Sequence, residues 1–282
     1  MPAPLTLHVT SDPTEAVSWF AGLVEREPQA LSVVASVTAG ILHDPTRYPG
    51  ARWWAGHDGT DVVAAFMHTP PFPLHVAFAT SDDARALAVA LAGQGDDLPG
   101  VGGLREPAEA FADEWVRHTR CSARTSMEVG RFELPRRAVV PFDVPGTFRR
   151  ATAEDLPVVD AWHQEFVDAI EGPGQRAAPG LDAQVADGRV GLWVDDGTVV
   201  SMAYASPASG GLTRVSGVWT PPALRGHGYA SGVVAALSNE RLDAGEACML
   251  FTDLANPTSN AIYLAMGYRR VGDAVTIAFD PA

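Results

Sequence analysis

The stretch Thr220–Gly232, TPPALRGHGYASG, constrains this chain more than any other. Pro221 and Pro222 stop the strand that enters it, and Arg225-Gly226-His227-Gly228 makes a tight turn. Helical spacing follows at once, with Ala230, Val233, Val234 and Leu237 on one side. A strand, a glycine turn and a helix start in direct succession form a ready anion site. Glycines let a backbone approach a ligand closely, and the first N–H groups of a helix have no partner of their own. Alone, the loop reads equally well as a structural turn or as a phosphate site.

At 282 residues the chain exceeds the usual single domain, so two are expected. The segment Arg136–Gly146, RRAVVPFDVPG, is broken by prolines and marks the boundary, with domains over 1–140 and 146–282. Before it, periodicity predicts helices over Thr14–Glu25, Leu31–Leu42, Asp82–Leu91 and Pro107–Arg117. Strands are expected at Val62–Met67, His75–Thr80 and Met127–Leu134, with a turn around Pro99–Gly103. After it, helices are expected over Ala153–Ala169, Asp182–Ala186, Tyr229–Ala244 and Pro257–Met266. The second set of strands covers Thr147–Ala151, Val190–Val194, Val199–Ser206, Thr213–Thr220, Ala247–Thr252 and Val275–Phe279, and a Pro/Gly-rich loop spans Glu171–Gly180.

The two halves look like distant copies. Trp54 precedes the hairpin turn Asp58-Gly59 in the first, as Trp193 precedes Asp195-Asp196-Gly197 in the second. Where the second half has Arg225-Gly-His-Gly, the first has Thr80-Ser-Asp-Asp-Ala84, with two carboxylates and no glycine. That composition repels an anion, so the first half reads as the non-catalytic copy.

Charge excludes several classes. All 20 basic residues are arginine, which rules out a catalytic lysine, a Schiff base and a GK[ST] phosphate loop. Each half carries −7 (11 arginines against 18 acids up to Gly146, 9 against 16 after it), giving −14 in all. Nucleic acid needs a basic face, so it is not an expected partner. Cys121 and Cys248 lie too far apart in sequence to suggest a disulfide framework or a zinc site, and no metal is expected. No apolar run is long enough for a membrane span, and the start lacks a secretory pattern, so a cytoplasmic protein is expected.

A second motif stands about 30 residues after the loop: Asn256-Pro-Thr-Ser259-Asn-Ala-Ile-Tyr263-(x)3-Gly267-Tyr268. Asn256 suits an N-cap with Pro257 at the first helical position. Asn256, Ser259 or Asn260, and Tyr263 then fall along one stripe of a short helix. Gly226-His-Gly228 is not a dinucleotide fingerprint, because Gly232 comes one residue late and fewer than 60 residues follow.

With both motifs in place, the second half resembles the GNAT acetyltransferase superfamily over about Thr147–Phe279, most strongly over Val218–Tyr268. The tandem layout, with its degenerate first copy, resembles two-copy members of that family. The resemblance implies two α/β (α+β) domains, each a mixed, largely antiparallel sheet flanked by helices, and acetyl-CoA as cosubstrate. It places the pyrophosphate on the backbone N–H groups of Arg225, Gly226, His227, Gly228, Tyr229 and Ala230. Val218, Trp219 and Thr220 would run beside the pantetheine, with the backbone up to Thr220 polarising the acetyl carbonyl. Asn256 and Ser259 would contact the pantetheine arm, and Tyr263 would stand near the sulfur as the acid.

The reaction implied is acetyl transfer to a primary amine of a small, cationic molecule, by a monomer or homodimer. The family often places a glutamate on the strand before the loop, but Thr213–Thr220 has no acid. Glu165, His163 and Asp253 are the candidate bases, with Glu165 the first choice. Glu165, Asp168 and Glu171 lie where the family places its acceptor pocket. A catalytically idle acyl-CoA-binding module and transfer of a longer acyl group are the alternative readings.

Overall fold

The computed structural model describes residues 5–171 and 181–281, without the side chain of Glu171. Residues 172–180 of the expected loop, and the side chain of Glu171 as an acceptor-pocket residue, lie outside what it describes. The chain forms two compact units, and neither is contiguous. The first comprises Met1–Arg131, Asp253–Ala255 and Gly272–Ala282, the second Phe132–Thr252 and Asn256–Val271. The expected domains 1–140 and 146–282 follow the two sequence copies; the compact units differ from them by exchanging closing segments.

In the first unit the order is β1 (Thr6–Thr10), α1 (Pro13–Arg26), α2 (Pro28–His43), β2 (Arg52–Asp58), β3 (Asp61–His68) and β4 (Leu74–Phe78). Then come α3 (Ser81–Gln94), β5 (Gly100–Leu104), α4 (Arg105–Thr119) and β6 (Ser122–Leu134), whose last residues belong to the second unit. Strands β1 to β4 pair antiparallel in sequence order, and β4 pairs with β5 in parallel. Side chains alternate across the sheet, as the two-residue period requires. Trp53 faces α1 and α2 in a core with Phe20, Leu23, Leu31 and Val34. Its neighbour Trp54 lies in the opposite core, with Leu87, Leu91, Phe111 and Trp115 of α3 and α4.

The second unit repeats this plan. It holds β7 (Thr147–Arg150), α5 (Leu156–Glu171), α6 (Leu181–Ala186), β8 (Val190–Asp195), β9 (Thr198–Ala205) and β10 (Leu212–Trp219). The remaining elements are α7 (Tyr229–Asp243), β11 (Ala247–Asp253), α8 (Pro257–Met266) and the start of β12 (Arg269–Asp280), while the last residue of β11 and β12 from Gly272 onward belong to the first unit. Strands β7 to β10 are antiparallel, and β10 and β11 are parallel. Val159, Leu181 and Val185 pack on one face with Leu192 and Met202. On the other, Val233, Val234 and Leu237 pack with Ala203, Val215 and Leu250, joined by Phe132 and Leu134 from the end of β6. Each unit is thus a mixed sheet with helices on both faces.

Two sequence expectations are corrected here. Pro99–Gly103 is not a turn, because Gly100–Leu104 form β5, between β4 and β12. Its glycines serve close backbone approach. A Cβ on Gly100 would lie 2.3 Å from Ile277 O, and one on Gly103 2.0 Å from Val76 O. The strand expected at Val275–Phe279 is longer, and its residues Ala274–Ala278 pair with Leu104–Gly100 in the first unit.

Candidate functional site

The site begins where two strands of the second unit part. Strands β10 and β11 pair from Leu212↔Ala247 to Val215↔Leu250, and among the described residues they pair no further. On its other side β10 pairs at Ser216↔Tyr204 and next at Trp219↔Met202, so it carries an extra residue. Such a bulge bends and twists its strand. Gly217 makes it possible, with φ +58° and the Tyr204 ring so near that a Cβ would lie 1.8 Å from Cε1. The backbone of Ser216–Trp219 is therefore left without a strand partner on the β11 side.

Strand β10 runs into a nine-residue junction, Thr220–Gly228, before α7. Arg225 Nε donates to Thr220 O at 3.0 Å, and its guanidinium stands 5.2 Å from the centre of the Trp219 ring. Gly226 and Gly228 take φ of +87° and +82°, a conformation that favours glycine. Gly228 is the N-cap of α7 and supplies no side-chain cap, and the first turn holds no acid. Among the described residues, no acceptor meets the N–H groups from Gly226 through Ser231. The first satisfied one is Gly232 N–H, bonded to Gly228 O at 3.0 Å. These donors and the positive end of α7 form an open cradle of the kind that could hold an anion.

Tyr229 braces the cradle. Its hydroxyl donates to Asp195 Oδ2 at 2.5 Å, and its ring stacks on His227 with centroids 5.3 Å apart. The bond to Asp195 holds the Tyr229 phenol above its usual pKa. Thr220 turns its hydroxyl inward, 2.8 Å from Ser201 Oγ. Since Ser201 Oγ donates its own proton to Trp219 O at 3.0 Å, Thr220 is the donor in that pair.

On α8, Asn256 Oδ1 accepts the N–H of Ser259 at 3.0 Å, which leaves its amide nitrogen as the group for a ligand. Tyr263 packs edge-on against Tyr268 at 5.9 Å, and burial pushes its phenol up to about 12. On α5, exposed Glu165 accepts the indole N–H of Trp219 at 2.8 Å. Buried His163 stacks on Tyr204 at 5.4 Å, and Asp168 accepts from Gln164 Nε2 at 3.1 Å. Asp253 accepts the N–H of Ala255 at 2.8 Å. Among the described residues no group of three or more His, Cys, Asp or Glu is placed to hold a metal. No helix among them is long and apolar enough to cross a membrane.

Comparison with known proteins bears on this geometry. Residues 191–276, which contain the cradle and α8, match the family model described as FR47-like protein. No curated protein matches the chain. A GNAT-family acetyltransferase from Colwellia psychrerythraea superposes with a TM-score of 0.60 at 12% identity, over 98% of this chain and 100% of that one. A GCN5-related N-acetyltransferase from Sphaerobacter thermophilus gives 0.61 at 15%, over 99% and 96%. A tandem GNAT protein from the clavulanic acid biosynthesis pathway gives 0.55 at 14%, over 99% and 100%. The chain carries the GNAT fold in tandem.

Within that fold, the residues expected from sequence sort by element. Val218, Trp219 and Thr220 lie at the bulged end of β10, and Arg225 through Ala230 form or flank the cradle. Trp219 joins two of the expected groups, since it bonds Glu165 and lies under Arg225. Sequence reading missed Tyr204, Ser201 and Asp195, which hold the bulge, the strand end and the cradle. Gly217 inside a strand was a signal for the first of these, because it announces a bulge or a close neighbour. Nothing local signalled the other two.

Proposed function

We propose that the chain is an acetyl-CoA-dependent N-acetyltransferase whose second unit carries the site and whose acceptor is the primary amine of a small cationic molecule. The observation that carries this reading is the open N–H cradle of Gly226–Ser231 beside the parted end of β10. A pyrophosphate suits the cradle, and an amide-bearing arm suits the free strand edge. Asn256 Nδ2 and the Ser259 hydroxyl are donors for the same arm. The thioester, when bound, supplies an acyl carbon open to attack by nitrogen.

The residues then have separable tasks. A backbone N–H at the end of β10 stabilises the oxyanion that forms on attack. Tyr263 keeps its proton at any physiological pH, since burial pushes the phenol up to about 12. Against a thiol of pKa about 8.5, full proton transfer from the raised phenol is uphill. Tyr263 therefore acts first as a hydrogen-bond donor to the sulfur and yields its proton only as the leaving charge develops.

The acceptor ammonium, with pKa about 10.4, is neutral in only ~10^-3.4 of molecules at pH 7, which costs roughly 4.6 kcal/mol. Glu165 has no arginine partner among the described residues, and it accepts a bond from a neutral indole N–H. It is suited to hold a cation and to draw off the proton.

The direct test is thiol release from acetyl-CoA across a panel of amines. Failure to bind CoA at all would sink the reading. CoA binding without turnover on any amine favours a binding-only module, which the lack of a carboxylate on β10 also favours.

A further inference from the structure

The segment between the two copies is not a free linker. Arg137 pairs with Asp243, Ala138 N–H donates to Asn239 Oδ1 at 2.8 Å, and Asn239 Nδ2 donates back to Ala138 O at 3.0 Å. Val139 N–H donates to Met266 O at 3.1 Å. At the other end, the Trp193 indole N–H donates to Pro145 O at 2.7 Å, and its ring lies against Gly232. Gly228, Gly232, Asn239 and Asp243 fall on one stripe of α7 at 100° per residue. The segment therefore runs along that stripe, from the end of α7 back to its start.

What it delivers there is Phe142. A Cβ on Gly228 would lie 2.5 Å from Phe142 Cε2 and 3.2 Å from Val144 Cγ2, so both side chains rest on the N-cap of the cradle. Yet Phe142 is 51% exposed and stacks on no other ring among the described residues. A large aromatic pinned at both flanks, seated on the anion cradle and open to solvent, is placed to serve a ligand rather than the core. Resting on the acyl-CoA reading above, we propose that Phe142, which shares the Gly228 contact with Val144, is the platform on which the adenine of CoA stacks. Adenosine follows the pyrophosphate by a single 5′ linkage, so a pyrophosphate on Gly226–Ser231 brings the base within reach of this ring. Every base offers a π-face, and aromatic side chains bind it without hydrogen-bond readout.

The test is calorimetric titration of the full chain with CoA, adenosine 3′,5′-bisphosphate and pantetheine 4′-phosphate. Phe142→Ala should weaken CoA and the nucleotide half by on the order of tenfold while sparing the pantetheine half. Phe142→Leu, which keeps the apolar contact with Gly228 but has no π-face, should weaken them too, and Phe142→Trp should retain wild-type affinity. Unchanged or tighter CoA binding in Phe142→Ala overturns the inference, as does equal weakening of both halves. Wild-type protein that binds CoA but not the nucleotide half also overturns it while leaving the acyl-CoA reading intact. Wild-type protein that binds none of the three overturns both.

Discussion

Strands β4 and β10 occupy the same place in their two copies and leave their sheets in the same way. Each carries an extra residue against its antiparallel neighbour, between Val76 and Phe78 in one and between Ser216 and Trp219 in the other. Each also stops pairing with its parallel neighbour before its end, at Val76 and at Val215. What differs is the start of the next helix. Only Ala79 and Thr80 separate β4 from α3, whereas Thr220–Gly228 separate β10 from α7. Helix α3 satisfies its own N-terminus, since Thr80 Oγ1 accepts Asp83 N–H at 3.2 Å and Asp83 Oδ2 accepts Thr80 N–H at 2.9 Å. Asp82 and Asp83 add negative charge to the first turn. Helix α7 has neither a side-chain cap nor an acid there. One copy thus satisfies its helix start with its own side chains, and the other leaves that start open.

The largest change expected comes from removing the glycine that keeps the α7 start open. Gly228→Val places a β-branched residue at φ +82° and drives its side chain into Phe142. CoA affinity should fall at least about a hundredfold. Titration with CoA reads this out, and a variant that binds as wild type would mean the cradle is not the pyrophosphate site.

Next in size is Tyr263→Phe, which leaves the cradle alone. Turnover should drop on the order of a hundredfold with CoA affinity unchanged, as expected for loss of an acid used only in the reaction. Since the Tyr263 phenol is pushed up to about 12, the wild-type kcat profile should show no falling limb from this group between about pH 7 and 10. The same burial acts on stability. Tyr263 and Cys248 are both raised to about 12, and Tyr268 is raised as well. Their contribution is complete below the unfolded values of about 9 to 10 and is lost as pH rises toward about 12. Denaturant midpoints measured against pH should fall in that window.

How much of this was legible depends on whether the cause is local. The positive φ of Gly226 and Gly228, and of Asp196-Gly197 in the hairpin turn, follow from residue type and position alone. So do the Asn256 cap and the carboxylates at the start of α3. Strand β5 was misread because its glycines answer to Ile277 O and Val76 O, backbone atoms that no local window contains. The exchanged closing segments were hidden for the same reason, since period and length mark β12 as a strand without naming β5 as its partner. Arg136–Gly146 looked like a proline-broken boundary. Its attachment to α7 rests on Asn239, Asp243 and Trp193, residues scattered through the second copy.

A smaller effect should follow from giving α7 the charge of α3. Ala230→Asp puts a carboxylate at the second helical position, matching Asp82 of α3. Near a helix N-terminus a carboxylate contributes about 0.3–1 kcal/mol to stability, and it repels a pyrophosphate. The two readouts should therefore part, with CoA binding weakened roughly tenfold and the unfolding midpoint no lower than wild type. Equal losses in both would point to damage of the fold rather than to charge at the cradle.

The smallest change is the converse one. Thr80→Ala removes one arm of the α3 capping box, where Thr80 also bonds Asp83 through its hydroxyl at 2.7 Å. Loss of such a cap costs about 1 kcal/mol. Amide exchange should quicken by roughly fivefold over the first turn of α3, with CoA binding and turnover unchanged. The variant frees N–H groups at α3, but it leaves Asp82 and Asp83 in place and supplies no glycine junction. Gly103 still presses β5 against Val76 beside it. If Thr80→Ala alone let the first copy take up CoA, the junction length and the acids would not be what separates the two copies, and the cap by itself would be.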